Sequence, residues 1–484
     1  MARKTCKWLG AVLLAMLAGA GGARAQAPAP SPAPASAAGL DLTRLSTEAT
    51  GWLQGLIRIN TTNPPGNELV AAKYLADILT KEGIPSEIFE STPGRGFLVA
   101  RLQAGALPDP SRALLLMGHL DVVPVQKEKW SVDPFGGIIQ GGYIYGRGAM
   151  DDKGYTITNV AILVALKRAG VRLNRDVILL AEGDEEAGGE QGMQFAVAKH
   201  WDKIACAFAL NEGGEALVKD GKVQYVGVQT NEKVAVNVTV IATGTSGHAS
   251  RPRKDNAVVH LAAAVGKIGV YQAPLQLISV TQVYFEQLAK VEDEETAKWM
   301  RALETSDRTE HAGRWLSDAS PEWNAVLHDT ITPTILQAGF GKNVIPAEAR
   351  ANLNIRLLPG NSIDALIEQL RKLVDDPAVR FEVQQPVGEA TPSSSINTDL
   401  YQAIGKATTE MFPGAVVLPK LSTYATDSWP LRLRSITAYG LNPYPMSEDD
   451  LKRMHSEDER LSVDSFHKGV EFLYRIVSHF AVTQ

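Results

Sequence analysis

Cysteine is nearly absent: the 484 residues carry two, Cys6 and Cys206. Cys6 lies in a leader-like N-terminus, so Cys206 stands alone and no internal disulfide framework is possible. Within the apolar run Ile204–Leu210 it reads as a packed core residue. Positive charge is also scarce. Lys and Arg number 48 against 54 Asp and Glu, a formal charge of −6, and no basic stripe occurs. That balance argues against a nucleic-acid partner. Beyond the N-terminus no run is apolar enough to cross a bilayer. Internal repeats and coiled-coil heptads are missing too, and the overall composition is that of a globular protein.

The N-terminus has its own logic. Arg3, Lys4 and Lys7 precede the short apolar stretch Leu9–Gly19, and Ala23-Arg24-Ala25 fits a small-residue cleavage pattern. Residues 1–25 therefore read as a secretory signal, which places the protein in the periplasm or the medium without stable membrane insertion. Its removal takes four positive charges and no negative one, moving the formal charge from −6 to −10. Residues 26–39, almost all Ala, Pro and Ser, read as an extended tether.

From Leu40 the chain alternates helix and strand. Asn67 is placed to cap a helix ending at Gly83, and Tyr155–Arg168 is helical in period. Ala113–Met117 and Asp176–Ala181 are unbroken apolar runs, suited to strands covered on both faces. That order predicts an α/β fold with a mostly parallel sheet flanked by helices. The middle differs. Lys233–Ala242 and Ala351–Leu357 alternate like half-buried strands, Asp255–Val270 and Ile363–Val374 are amphipathic helices, and Val291–Trp315 is polar and helical. These suit a smaller α+β unit. After Pro392–Ser395 the first pattern returns.

Three strand ends, one glycine-punctuated turn and one late loop carry the candidate chemistry. His119 and Asp121 follow the first buried strand, where an imidazole can bind metal and a carboxylate can hold its other nitrogen. Asp151 and Asp152 sit in the glycine-punctuated turn Gly146–Gly154. A carboxylate there can bridge two cations or simply cap the next helix, as Asp152 suits. Asp184, Glu185 and Glu186 are three adjacent acids whose repulsion a cation would relieve, and one could ligate while its neighbour moves a proton. Glu212 ends a further strand, and His455 lies in a polar loop. His260, His467 and His479 fall in helical patterns and read as ordinary residues. Imidazole and carboxylate donors without thiolate suit two zinc ions, with cobalt or manganese as substitutes.

The segments GHLDVVPV from Gly118, DPFGG from Asp133, GRGAMDDKG from Gly146 and EGDEEAGG from Glu182 resemble the M20 metallopeptidases. So do NEGG from Asn211, GTSGHASRP from Gly244, NVIP from Asn343, IRLLPG from Ile355 and ATDSWPLR from Ala425, with His455 closing the series. The resemblance runs from about Leu40 to the C-terminus. It implies a zinc-peptidase catalytic domain over residues 40–231 and 389–484, interrupted by a lid and dimerisation domain over 232–388. It implies His119, Asp151 and Glu212 on one zinc and Asp151, Glu186 and His455 on the other. Glu185 would be the general base, Asp121 would orient His119, and the peptide bond after Asp151 would be cis. His248 would reach the partner subunit's site in a homodimer as an oxyanion donor, and Asn343 and Arg356 would bind a substrate carboxylate. Asn354 departs from the pattern, because the family often has an acid two residues before that arginine.

The expected activity is hydrolysis of an amide next to a free carboxylate, in a peptide or an N-acyl amino acid. A dipeptidase or a small-metabolite deacylase is the nearest alternative, and an inactive binding protein with the same fold is a more distant one.

Overall fold

The computed structural model describes residues 40–483 except 306, 386 and 387, so the signal and tether expectations lie outside the described residues. Strand Leu114–His119 is buried throughout. Leu114 and Leu116 join one apolar cluster, while Leu115 and Met117 join another on the opposite face. Successive side chains of a strand point to opposite faces, so only a sheet covered on both sides satisfies this run. Strand Val177–Glu182 pairs with it in parallel and divides its side chains the same way.

These two strands sit in a ten-stranded sheet. Phe208–Asn211 runs parallel to Leu114–His119, and Thr437–Gly440 runs parallel to Phe208–Asn211. Further out, Lys222–Glu232 pairs in parallel with Val416–Ser422. Antiparallel strands Ser86–Thr92 and Arg95–Leu102 close the near edge. Helices Leu42–Ile57, Lys153–Ala169 and Val463–Ala481 bury their apolar sides in the larger cluster on one face. Cys206 is buried in the cluster on the other face, as expected, and burial pushes its thiol up to about 12.

A second, fully antiparallel sheet has the order Thr330–Ala338, Glu348–Leu357, Val234–Thr243, Val379–Val383. Val234, Val236, Val238 and Val240 point into its core, against helices Ala257–Gly269 and Ile363–Val374. The alternation in the sequence reflects this one-sided burial.

The polar stretch around residues 291–315 forms more than one helix. Ser279–Leu288, Glu294–Ala302, Thr309–Ala319 and Pro321–Leu327 bring Phe285, Leu288, Met300 and Leu316 together. That cluster includes Leu418 and Leu421 of the large sheet, so the helices dock there as well as following the small sheet in sequence. Lys420 ties the contact, donating to Glu215 at 2.6 Å and to Glu322 at 2.7 Å. Asn67 does precede helix Glu68–Lys81 but makes no side-chain capping bond. Its amide donates to Asn60 O instead, at 3.4 Å. Among the described residues no helix is long and apolar enough to cross a membrane.

Candidate metal centre

The central parallel strands end at one edge, where ligands gather in open α/β sheets. His119 is the last residue of Leu114–His119, Glu212 directly follows Phe208–Asn211, and Glu185–Ala187 is a short turn after Val177–Glu182. Asp151 precedes helix Lys153–Ala169, and His455 lies ahead of strand Arg460–Ser462. The bond between Asp151 and Asp152 is cis, as the resemblance implies.

Asp151 is the pivot. Its Oδ1 lies 2.9 Å from His119 Nε2, and its Oδ2 lies 2.9 Å from His455 Nε2. His455 Nε2 is also 3.0 Å from Glu186 Oε1. Ligand atoms of His119, Asp151 and Glu186 lie within 4.8 Å of one another, as do those of His119, Glu185 and Glu212. Two donors on one tetrahedral zinc are separated by about 3.3 Å at ordinary Zn–N and Zn–O lengths. All five expected ligands therefore converge, and Glu185 lies beside them.

A shell of fixed groups holds these side chains. Asp121 is fully buried, with Oδ1 3.4 Å from His119 Nδ1, while that nitrogen also meets Asp121 O at 3.0 Å. The Asp121 carboxylate accepts the backbone N–H groups of both Glu185 and Glu186 at 3.2 Å. The carboxylate thus pins the acidic turn, while the Asp121 carbonyl is the nearer partner of the imidazole. Asn63 donates to Asp121 and to Asp184, and Arg95 donates to Asp184 at 2.6 Å. Neither Asn63 nor Arg95 stood out in the sequence, because nothing local marks a partner 121 or 89 residues away.

Asp152 occupies the N-cap position but makes no capping bond there. Its Oδ2 accepts the His119 N–H at 3.1 Å instead. Gly118 permits this: a Cβ there would lie 2.6 Å from that oxygen.

The electrostatics favour cations. Burial drives Glu212 and Asp152 well above the usual carboxylate range, and the charge of Asp151 adds to both shifts. Asp151 itself is held well below that range, because bonds to His119 and His455 outweigh its burial. Hydrogen bonds to Asp151 and Glu186 push His455 up to about 10. Both Glu182 oxygens and one of Asp427 are buried without a partner. Acidic donors are thus in excess here, and a buried charge is tolerated when paired or bound to metal. The residues present fit a pair of divalent ions.

His248, Asn343 and Arg356 lie on the small-sheet side. Gly247–His248 pairs with Val344–Ile345, and Ala249 N donates to Asn343 O, so the first two are neighbours. His248 is exposed, and its Nδ1 accepts the Ser250 backbone N–H at 3.2 Å, which assigns the proton to Nε2, with Ser250 Oγ 2.8 Å from the same nitrogen. Arg356 Nε donates to Asn354 Oδ1 at 3.2 Å. Among the described residues no carboxylate pairs with Arg356, and burial pulls its guanidinium below the ordinary value. Asn354 thus holds the arginine in place and leaves its charge free. Within the described chain no hydrogen bond links these three residues to the metal cluster. His260, His467 and His479 make local pairs with Asp376, Thr50 and Glu410, as ordinary residues do.

An α/β sheet whose strand ends converge imidazole and carboxylate donors defines a metal-dependent hydrolase. Residues 115–479 match the model of peptidase family M20/M25/M40, and the chain belongs to that family. It is 30% identical over 380 residues to the human N-fatty-acyl-amino acid synthase/hydrolase PM20D1, covering 77% of this chain and 75% of the relative. The fold resembles an M20 family metallo-carboxypeptidase from Sulfolobus solfataricus, with TM-score 0.67, 20% identity and coverage of 90% and 99%. It also resembles the Bacillus subtilis YXEP protein, a dinuclear metal-binding M20 peptidase, with TM-score 0.56, 13% identity and coverage of 90% and 98%.

Proposed function

We propose that this protein is an exported two-zinc hydrolase that cleaves an amide next to a free carboxylate, in an N-acyl amino acid or a peptide. The observation that carries this is Asp151, whose two oxygens each face a different histidine. The names of the acyl-amino-acid hydrolase and the metallo-carboxypeptidase support the substrate class. The dinuclear relative supports the metal count. Nitrogen and oxygen donors suit zinc, with cobalt or manganese as substitutes.

His119, Asp151 and Glu212 would hold one ion, and Asp151, Glu186 and His455 the other. Bound there, the ions would activate water and polarise the scissile carbonyl. Glu185 takes the proton of the attacking water and passes it to the leaving amine. Arg356, with Asn343, grips the substrate carboxylate through a planar fork. The direct test is turnover of a panel of N-acyl amino acids and dipeptides by zinc-loaded protein. Activity confined to substrates lacking a free carboxylate would reject this reading.

Arg356→Ala is expected to weaken kcat/KM for free-carboxylate substrates by roughly 10²-fold, the worth of a charge-assisted pair of about 3 kcal/mol. The matching C-terminal amides should change little. Steady-state kinetics on both series checks this, and equal losses would make Arg356 a structural residue only.

We further propose a homodimer in which His248 Nε2–H crosses to the partner's site and stabilises the oxyanion. His248→Ala should then lower kcat by roughly 10²–10³-fold with metal content intact. Mixing it with Glu185→Gln should restore activity, since a mixed dimer pairs an intact metal site with an intact histidine. Heterodimers that form without regaining activity would rule out action across the interface.

A further inference from the structure

Glu459 is a fully buried carboxylate that neither the ligand set nor the proton path uses. It lies four residues after His455, yet its side chain faces the loop that carries Asp151. Oε1 accepts from Met150 N at 2.8 Å and from Asp151 N at 3.2 Å. Oε2 accepts from Gly148 N at 3.1 Å and from Arg147 Nη1 at 2.6 Å. Four donors saturate an ionised carboxylate, which offers about four lone-pair sites. The backbone repeats the link, with Gly146 N donating to Glu459 O at 3.0 Å.

Arg147 closes the frame from the other side. It is itself buried, and its Nη2 donates to His455 O at 3.3 Å. His455 has φ of +59°, a left-handed conformation that costs a non-glycine residue energy and persists only where surroundings enforce it. The Arg147 side chain also lies 5.3 Å from the Trp130 ring centroid. One buried ion pair therefore touches the backbone of Asp151 and the backbone of His455, which are 304 positions apart. These are the two residues that meet at 2.9 Å.

We propose that Glu459 and Arg147 are positioning residues that fix Asp151 and His455 relative to each other, and so set the affinity of the His455-side metal position. This rests on the two-metal reading above. A buried ion pair is weak evidence for stability alone, since an apolar pair of the same volume often does as well. The geometry here is specific: every acceptor site of Glu459 is spent on the ligand loop and its arginine. Partners one step beyond the ligands typically change metal affinity by 10–100-fold.

The test uses the full-length protein and zinc titration calorimetry. Glu459→Gln keeps the volume but turns an amide N–H₂ toward groups that only donate. Glu459→Asp keeps the charge opposite Arg147 but withdraws the carboxylate by one methylene. In each variant one zinc should weaken by roughly 10–100-fold while the other stays within about threefold. Activity at limiting zinc should fall in kcat with KM unchanged, and raising zinc should restore it. Arg147→Lys should act in the same direction, and combining it with Glu459→Gln should add little, because the two act as one unit. If Glu459→Gln does not fold, Glu459→Asp decides. Wild-type affinity at both positions, or equal weakening of both, overturns the proposal. Wild-type protein that binds fewer than two ions would instead reject the two-metal reading, so the failures are distinguishable.

Discussion

Glu185→Gln is expected to cut kcat by at least roughly 10²–10⁴-fold, the usual worth of a general base, with both metal ions retained. The substitution changes one atom, so the turn should hold its shape. That turn is fixed through its backbone: Glu185 N and Glu186 N both donate to Asp121, and Asp184 is held by Asn63 and Arg95. An amide in place of the carboxyl can still accept a hydrogen bond but cannot take a proton. Without metal, burial, followed by the negative charge of Glu212, pushes the Glu185 carboxyl well above its usual range; as a general base it must be ionised to act, which gives the kcat profile an acidic limb. The acidic limb of the kcat profile should accordingly disappear in the variant. Glu185 also shares the 4.8 Å cluster with His119 and Glu212, so a ligand role is the rival. Metal analysis separates the two. Zinc lost together with activity would mean that Glu185 ligates, and that Glu186 is then the candidate base.

What was legible in the sequence follows from where burial is two-sided. Leu114–His119 and Val177–Glu182 announce themselves because both faces of each strand need apolar residues, and an acid or imidazole at the end of such a run stands out. His119, Glu185 and Glu186 were therefore visible before any fold was known. Glu459 was not. Its meaning lies in contacts about 310 residues away, and in sequence it is one acid in a polar loop. Arg147 was visible only as part of a glycine-rich motif, without a role. Asp152 and Asn67 illustrate another limit. Capping rules describe the contest between a side chain and its own helix, and here each side chain bonds elsewhere, Asp152 to His119 N and Asn67 to Asn60 O. The stretch Val291–Trp315 reads as helical, but nothing in its polar faces reveals the flanking helices Ser279–Leu288 and Pro321–Leu327 or the cover that Leu418 and Leu421 supply.

Chelation should leave the protein folded and without measurable activity, and two zinc equivalents should restore it with release of protons. The folding part follows from the clusters on both faces of the large sheet, which contain none of the proposed ligands. The proton release follows from the charge state of the empty cluster. Without metal, His455 is pushed up to about 10, and His119 is also raised well above its ordinary value because Asp121, Asp151 and Glu212 outweigh its burial. His455 then carries a proton at neutral pH and His119 is shifted in the same direction, whereas a ligating imidazole must be neutral. Binding displaces those protons, so zinc affinity must rise with pH and weaken on acidification. Linkage makes the slope about tenfold per pH unit for each proton displaced. Calorimetry at about pH 6 and about pH 8, in buffers of different ionisation enthalpy, reads both the slope and the proton count. Affinity independent of pH and buffer would mean that His119 and His455 are not both ligands. Full turnover in protein shown to be metal-free would remove the metal from the reaction altogether. Activity that returns only with the second zinc equivalent would mean that both positions must be filled for turnover.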